Sequence, residues 1–421
     1  MKKGWCKMKN KWNASKESNE HISDRILLAI QGFFECNSAE EELSYYIARY
    51  DDLKNCKFLV YSDTKGIEFP ECFKSNFENE FALIEIGCSD RYYVIDAQIC
   101  KDMLMGKDSN YNFDICVELD TQAISYLSNM FKSIDEINVH DDKKQMLYYL
   151  SKIDVNYSSL PYMIENSKKI TKENFIDCYL NLKSYEIFKN IDFDLWIESG
   201  IKKFRTDESN MMTNVDGLFK TMKSFEFQNH FQNLFEIQEH IYCLLIKAVL
   251  IENNNPKKSA ENKMKMLIDF MNNSLGVYCE REMAICYYYF KHDINTEKFF
   301  RKTKLNSKNK KSTINSMAWD LTHVRLIEFL YDFTCLGPIK FGIHPILTFD
   351  NGLKDVLRLC PVKKIAVYEG SVLVWYKTSF VDIFPEAREL ICHPNVRVKR
   401  REVFDSKNIV TLKDILEMEI G

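Results

Sequence analysis

Apolar residues recur at steps of three and four positions through the middle of the chain, and this spacing is typical of helices with one buried face. The pattern is unbroken over residues 231–250, where it predicts a long helix. We expect residues 168–300 to be helical almost throughout, because the clear break in the pattern is Asn-Asn-Asn-Pro at 253–256. The middle of the chain is therefore predicted to be a large helical region.

The first third of the chain has mixed periodicity. Helical spacing over 24–34 and 39–50 is followed by short runs rich in β-forming residues at 57–61, 81–86 and 91–99. Residues 87–90, Gly-Cys-Ser-Asp, suit a tight turn, so the second and third runs are predicted to form a hairpin. We expect residues 1–112 to be a small α+β accessory unit.

Two short apolar runs each end on an aspartate and lead at once into a helical pattern. The run 113–120 ends at Asp120, and the run 345–350 ends at Asp350. Side chains at the carboxyl ends of parallel strands line the crevice of an open α/β sheet, so both aspartates are expected at such an edge. The alternative role is a helix N-cap or an Asx turn, which is a common use of aspartate after a strand.

The C-terminal segment is predicted to add a β-hairpin and a basic strand. Residues 365–376 suit two strands around a turn at Glu369 and Gly370. The basic residues at 397 and 399–401 alternate in part with Val396 and Val398, and this alternation suits an exposed strand face.

Composition supports long helices and more than one domain. The 421 residues include only 13 glycines and 8 prolines, and 46% of them are apolar, so a large core can be buried with few turns. We predict three segments: the accessory unit 1–112, an α/β domain 113–360 with a helical insertion at about 168–275, and a C-terminal extension 361–421.

The cysteines and the apolar segments indicate a cytoplasmic protein. No two of the 14 cysteines have the C-x₂₋₄-C spacing of thiolate metal sites, so we expect buried, reduced thiols. The longest apolar run, 241–251, contains Lys247 and is shorter than the roughly 20 residues of a membrane span. No secretory signal follows the N-terminal lysines, and no membrane partner is expected.

The formal net charge of −4 gives no overall attraction to a polyanion, so nucleic acid would have to bind a local basic patch. Residues 301–312 form such a patch and lead into a helical pattern that carries Asp320. The candidate phosphate-binding residues in it are Lys302, Lys304, Lys308, Lys310 and Lys311. The alternative is a solvated loop without a ligand.

Two further acids lie on apolar helix faces. Asp320 is predicted to share the buried face of its helix with Val324, Ile327 and Tyr331. The polar face of that helix is predicted to carry Thr322, Arg325 and Glu328. Glu282 is followed by apolar residues at i+3, i+4 and i+7 in the same way. Since burying a lone carboxylate is costly, a cation should compensate each of them. The alternatives are an acid in the first turns of a helix for Asp320 and an exposed or ion-paired glutamate for Glu282.

Carboxylates that converge at strand ends bind hard divalent ions such as Mg²⁺ or Mn²⁺, which can orient a water for attack on a phosphodiester. Three short blocks of this sequence carry such acids: the strand ending at Asp120, the helix with Ala-Trp-Asp-Leu at 318–321, and the strand ending at Asp350. In chain order they resemble the first, third and fourth acidic motifs of PIN-domain ribonucleases.

The resemblance implies a compact α/β/α domain with a central parallel sheet, dependence on Mg²⁺ or Mn²⁺, and cleavage of RNA. It implies that Asp120, Asp320 and Asp350 are metal ligands and that the Thr348 hydroxyl lies close to the metal. The second acid of the family pattern is open between Glu165, which has the expected place in chain order, and Glu282, which has the better buried face in the predicted helix.

We therefore predict a metal-dependent endoribonuclease that acts on single-stranded or structured RNA. One alternative is a non-catalytic RNA-binding or protein-binding module on the same fold. Another is a metal-dependent phosphoesterase or DNA nuclease that uses the same acids. A second copy of the chain or an inhibitory protein would be a compatible partner.

Overall fold

The chain is a mixed α/β protein in a computed structural model that describes residues 23–69, 82–107, 113–137, 155–303, 309–331, 341–406 and 408–420. Its strands in these ranges, in chain order, are β1 Cys56–Tyr61, β2 Ile67–Glu68, β3 Ala82–Ile84, β4 Arg91–Ile95, β5 Phe113–Leu119, β6 Asn156–Ser158, β7 Phe341–Ile343, β8 Ile346–Thr348, β9 Val362–Tyr368 and β10 Ser371–Tyr376.

Helices account for most of the remaining described residues. The α-helices are Asp24–Glu35, Ala39–Ala48, Tyr50–Leu53, Ala97–Leu104, Thr121–Met130, Leu160–Ser167, Phe175–Asn190, Phe193–Ser199, Glu208–Lys223, Phe225–His230, Gln232–Asn254, Ala260–Phe270, Glu280–Phe290, Ile294–Phe300, Lys310–Leu330, Asn351–Leu357, Phe380–Ile383, Ala387–Cys392, Pro394–Ser406 and Ile409–Ile420. A π-helical turn covers Met271–Leu275, and a 3-10 turn covers Arg301–Thr303. The predicted helical region is confirmed, including the break after Asn254.

The first sheet, sheet A, has the strand order β10-β9-β1-β4-β2, and β1 pairs antiparallel with both β9 and β4. Its core includes Phe58 of β1, whose ring stacks on Phe33 with the centroids 3.8 Å apart. The predicted hairpin of β9 and β10 is confirmed. Its turn residues Glu369 and Gly370 have φ values of 46° and 86°, as the tight turn of a two-residue hairpin loop requires.

The second sheet, sheet B, has the strand order β3-β8-β5-β6, and β7 also pairs with β5. β5 runs parallel to β6, β7 and β8, whereas β3 is antiparallel to β8. The carboxyl ends of β5, β6 and β8 therefore lie along one edge of the sheet. Among the predicted acids, Asp120 follows the last residue of β5 directly.

Two predictions of local structure are wrong. The runs at 81–86 and 91–99 do not pair with each other, because β3 pairs with β8 in sheet B and β4 pairs with β1 in sheet A. The turn between β3 and β4 instead connects sheet B to sheet A. The pairing of each strand is decided by partners that are distant along the chain. Residue 81 lies outside the described residues. The predicted basic strand is part of the helix Pro394–Ser406, since the partial alternation is short and proline is favoured in a first helical turn.

The chain divides into two compact units. Unit 1 comprises Met1–His230, Leu326–Phe349 and Val362–Trp375, and unit 2 comprises Phe231–Arg325, Asp350–Pro361 and Tyr376–Gly421. Both sheets belong to unit 1 apart from the last residue of β10, and unit 2 is mainly helical. The predicted division into three consecutive segments stays a prediction.

The described helices and cysteines bear on two further expectations. In the described ranges, every helix is too short or too polar to span a bilayer. Most of the cysteines described there are buried.

Candidate functional site

Asp120 lies where strand β5 passes into the helix Thr121–Met130, as predicted. Its side chain is buried, with the residue only 1% exposed. Oδ1 accepts a hydrogen bond from the Ala123 amide at 2.6 Å, so this aspartate is also the N-cap of the helix. The cap fixes the orientation of the carboxylate at the carboxyl end of a parallel strand.

Glu165 comes close to the start of the same helix. It lies on the helix Leu160–Ser167, which follows β6, the parallel neighbour of β5. The Thr121 hydroxyl donates a hydrogen bond to Glu165 Oε2 at 2.5 Å, and Lys169 Nζ lies 2.8 Å from Oε1. The structure thus places Glu165 beside the residue that follows Asp120, at the same edge of sheet B.

Thr348 ends strand β8 on the other side of β5. The register pairs Leu119 with Leu347, so continuing it by one residue places Thr348 next to Asp120. Thr348 is fully buried. Next to it along the chain, the Phe349 ring packs on Tyr126 of the Asp120 helix, with the centroids 4.3 Å apart. Unit 1 therefore brings Asp120, Glu165 and Thr348 to one edge of its parallel sheet.

Asp350 follows β8 and caps the helix Asn351–Leu357, so its predicted place between a strand and a helix is confirmed. It is half-buried, and Oδ1 accepts hydrogen bonds from the Gly352 and Leu353 amides at 2.6 and 3.1 Å. A Cβ on residue 352 would lie 2.9 Å from Asp350 Oδ1 and from the Phe299 amide nitrogen, so this turn requires glycine. Asp350 belongs to unit 2.

Asp320 belongs to unit 2, lies near the middle of the helix Lys310–Leu330 and is half-buried. The prediction that it lies in the first turns of this helix is wrong. The helix begins about three turns earlier, because the basic run contributes Lys310 and Lys311 to it. The predicted polar face is also wrong in part, since Thr322 and Glu328 are buried. The predicted apolar stripe is confirmed at Val324, Ile327 and Tyr331, which are all buried.

Glu282 is fully buried on the helix Glu280–Phe290 and is ion-paired. Arg325 donates from Nε to Oε1 at 3.1 Å and from Nη2 to Oε2 at 2.6 Å. The inward-facing position is confirmed, and the compensating cation is a guanidinium in unit 2. The pKa of the nearby Cys279 thiol is raised to about 12, mainly by burial and to a smaller extent by the negative charge of Glu282.

The basic run is described only in part. Lys304 and Lys308 lie outside the described residues, and Lys302 lies in the 3-10 turn Arg301–Thr303. Lys310 and Lys311 are half-buried in the first turn of the helix that carries Asp320. The role of the run in binding RNA stays a prediction.

Sequence reasoning missed a cluster that the tertiary structure forms. Among the described residues, three side chains that can bind a metal lie together: those of Cys116, Glu118 and His344. Their ligand atoms are all within 4.8 Å of one another. It includes none of the predicted acids. The local signal was a glutamate two residues from a cysteine inside a largely apolar strand, but the histidine is 226 residues away from Glu118.

The predicted metal-binding acids are divided between the units. Asp120 and Glu165 lie in unit 1, and Asp320, Asp350 and Glu282 lie in unit 2. The prediction that one divalent ion is held by acids from these separate parts of the sequence stays a prediction. No family model matches the chain, and neither curated proteins nor solved structures gave a significant match, so the chain is assigned to no family.

Proposed function

We propose that this chain is a metal-dependent endoribonuclease whose catalytic domain has a PIN-like α/β/α arrangement. The observation that supports this proposal is that Asp120 lies at the carboxyl end of β5 and that Thr121, the residue after it, donates a hydrogen bond to Glu165 on the helix that follows the neighbouring parallel strand β6. Ligand-binding and catalytic side chains of open α/β sheets are concentrated at this edge.

The donor set at this edge fits a hard divalent ion. Asp120 and Glu165 offer carboxylate oxygens, and Thr348 offers a hydroxyl, which are the oxygen ligands that Mg²⁺ and Mn²⁺ prefer. We propose that Asp120 and Glu165 hold the ion directly or through water. A bound Mg²⁺ or Mn²⁺ would lower the pKa of a coordinated water and neutralise charge on a phosphodiester.

The chain's own groups set the orientation and charge of this edge. The Ala123 amide fixes the orientation of the Asp120 carboxylate at the N-terminus of the helix Thr121–Met130. The Thr121 hydroxyl and the Lys169 ammonium hold Glu165 in place. Both acids are therefore positioned before any substrate binds, as electrostatic catalysis requires.

Between the two candidates for the second acid, we propose Glu165. Each oxygen of Glu282 accepts a charge-assisted hydrogen bond from Arg325, so a metal at Glu282 would have to displace a buried guanidinium. Glu165 lies on the helix that follows the neighbouring parallel strand, and Thr121 links it to the Asp120 helix.

We propose RNA as the substrate, with Lys310 and Lys311 among the residues that contact its phosphates. Basic side chains bind nucleic acid mainly through phosphate contacts, so affinity should fall steeply as salt concentration rises. Replacing both lysines with glutamine should weaken RNA binding and reduce its salt dependence without changing the turnover of bound RNA.

The decisive experiment measures Mn²⁺-dependent cleavage of fluorescent single-stranded and hairpin RNAs by the wild type and by Asp120→Asn and Glu165→Gln. We expect each substitution to reduce cleavage by at least about 100-fold, the lower range of what a positioned acid or base contributes. Asp96→Asn is the matched control, since Asp96 also caps a helix after a strand, accepting from the Ile99 amide at 2.8 Å. Full cleavage by both variants would refute the proposal.

A non-catalytic RNA-binding module is the second candidate, and the same hydrogen bonds favour it. Asp120 and Asp350 both cap helices, and Glu165 is ion-paired with Lys169, so each acid has a structural role. This alternative predicts RNA binding that a chelator does not change, with no cleavage at any metal concentration. A panel of RNA, DNA and phosphomonoester substrates would distinguish a ribonuclease from a DNA nuclease or a phosphatase.

A further inference from the structure

We propose that Cys116, Glu118 and His344 form a binding site for one Zn²⁺ ion, separate from the carboxylate edge described above. The proposal does not depend on ribonuclease activity. It rests on the geometry of three side chains within unit 1, on the burial of Glu118 and His344, and on the chemistry of the ligand atoms.

The sheet brings the three residues together. Cys116 and Glu118 are two residues apart on β5, so their side chains lie on the same face of the sheet. The Glu118 amide donates to the Pro345 carbonyl at 2.8 Å, which fixes the segment between β7 and β8 against β5. His344 directly precedes Pro345, and its Nδ1 lies 3.0 Å from Glu118 Oε1.

Two side-chain atoms of this cluster are buried without a hydrogen-bond partner. Glu118 is 2% exposed and His344 8% exposed. Glu118 Oε2 and His344 Nε2 have no hydrogen-bond partner among the described residues. A buried polar atom left unsatisfied is costly, and a bound ion is one of the few arrangements that removes the cost. The imidazole and the carboxylate thus have unused binding capacity in a nearly closed site.

The ligand set favours zinc over the harder ions. A thiolate, an imidazole and a carboxylate are the usual protein ligands of Zn²⁺, whereas Mg²⁺ and Mn²⁺ prefer oxygen alone. Three protein ligands leave a fourth tetrahedral position for a water. Binding would release the thiol proton of Cys116, because the thiolate is the ligand.

Two tyrosines lie near the cluster. The Tyr331 ring meets the His344 ring edge-on, with the centroids 6.3 Å apart. Tyr185 donates from its hydroxyl to the Tyr157 carbonyl at 2.8 Å. The pKa of Tyr185 lies well above its usual value, mainly because the side chain is buried. The charges of Glu186, Cys116 and Glu118 make smaller contributions in the same direction. The burial of Glu118 and His344 limits water access to these two ligands, which strengthens their attraction to a cation.

The site would connect two strands that matter for the proposed catalytic edge. Cys116 and Glu118 lie on β5, which leads to Asp120, and His344 lies just before β8, which ends at Thr348. A zinc ion bound by all three would fix these strands together two to four residues before the edge.

The test measures bound metal in the full-length protein after dialysis against micromolar Zn²⁺ and then metal-free buffer. We expect about one Zn²⁺ per chain in the wild type, and a Zn²⁺ affinity at least about 100-fold lower in Cys116→Ala and His344→Ala, since each substitution removes a ligand. Cys100→Ala is the matched control, because Cys100 is a buried free thiol elsewhere in unit 1. It should bind zinc like the wild type.

Co²⁺ substitution of the wild type provides a readout that does not depend on how the variants fold. We expect a thiolate-to-cobalt charge-transfer band in the near ultraviolet and visible bands of tetrahedral cobalt, both present in Cys100→Ala and absent in Cys116→Ala. A wild-type protein that retains neither Zn²⁺ nor Co²⁺, or a cobalt spectrum without the thiolate band, would overturn the proposal. Asp120→Asn should retain zinc, so loss of RNA cleavage and loss of this site are distinguishable.

Discussion

Replacing Glu282 with glutamine tests whether this buried acid is structural or a metal ligand. Its two oxygens accept from Arg325 Nε and Nη2 at 3.1 and 2.6 Å, in a bidentate pair. The Glu282 side chain is 0% exposed and that of Arg325 18% exposed, so water cannot readily replace the lost partner. Arg325 also donates from Nη1 to the Tyr376 hydroxyl at 2.8 Å, which fixes the guanidinium in place.

The magnitude follows from these contacts. Removing one partner of a buried ion pair costs about 3–5 kcal/mol, because the other charge stays buried and unpaired. Glutamine keeps the shape and one acceptor oxygen, so we expect Glu282→Gln to lower the free energy of unfolding by about 1.5–3 kcal/mol, the range for hydrogen bonds to charged groups. Arg325→Met should cost a similar amount, and the double variant should cost clearly less than the sum of the two.

Urea denaturation followed by circular dichroism measures this effect through the midpoint of the transition and its slope. Glu297→Gln is the matched control on an exposed helix position of unit 2, and it should change stability by less than about 0.5 kcal/mol. An unchanged midpoint in Glu282→Gln would show that the ion pair contributes nothing. If that variant also lost Mn²⁺-dependent RNA cleavage, Glu282 rather than Glu165 would be the second acid.

Two further predictions concern ionisable side chains of unit 1. Lys364 is fully buried, pairs with Glu42 at 2.7 Å and donates to three backbone carbonyls, so Lys364→Met should lower the free energy of unfolding by about 3–5 kcal/mol in urea denaturation. Burial raises the pKa of Glu85, which accepts from the Tyr61 and Tyr331 hydroxyls at 2.5 and 2.6 Å. The folded state therefore keeps its proton where the unfolded chain has lost it, and stability should fall as the pH rises above about 4.3, the usual value for glutamate. Urea midpoints measured from pH 4 to pH 7 should show a smaller fall in Glu85→Gln, and identical profiles would contradict this assignment.

Local sequence patterns were sufficient where the structure depends on neighbouring residues. The strand-to-helix junctions at Asp120 and Asp350 could be predicted, because a short apolar run, an aspartate and a helical period are all local signals. The hairpin around Glu369 and Gly370 could be predicted for the same reason. The helix boundary at Lys310 was missed, because a basic polar segment can form a helix as well as a loop.

Partners distant along the chain could not be predicted. Nothing in the segment 81–99 shows that β3 pairs with β8, more than 260 residues later, while β4 pairs with β1. Likewise, an acid on a predicted apolar face indicates that a cation compensates it, but not which cation. Only the structure shows that Arg325 compensates Glu282.

The sequence by itself determined the helical middle of the chain, the positions of the aspartates at strand ends, and the burial of Glu282, since periodicity and turn chemistry act over a few residues. Tertiary structure alone decided that β5 lies between parallel neighbours, that Thr121 links Glu165 to the Asp120 helix, and that His344 meets Glu118. These contacts join residues tens to hundreds of positions apart. They form because packing the apolar faces of the strands and helices fixes their register, and that register brings the polar side chains together.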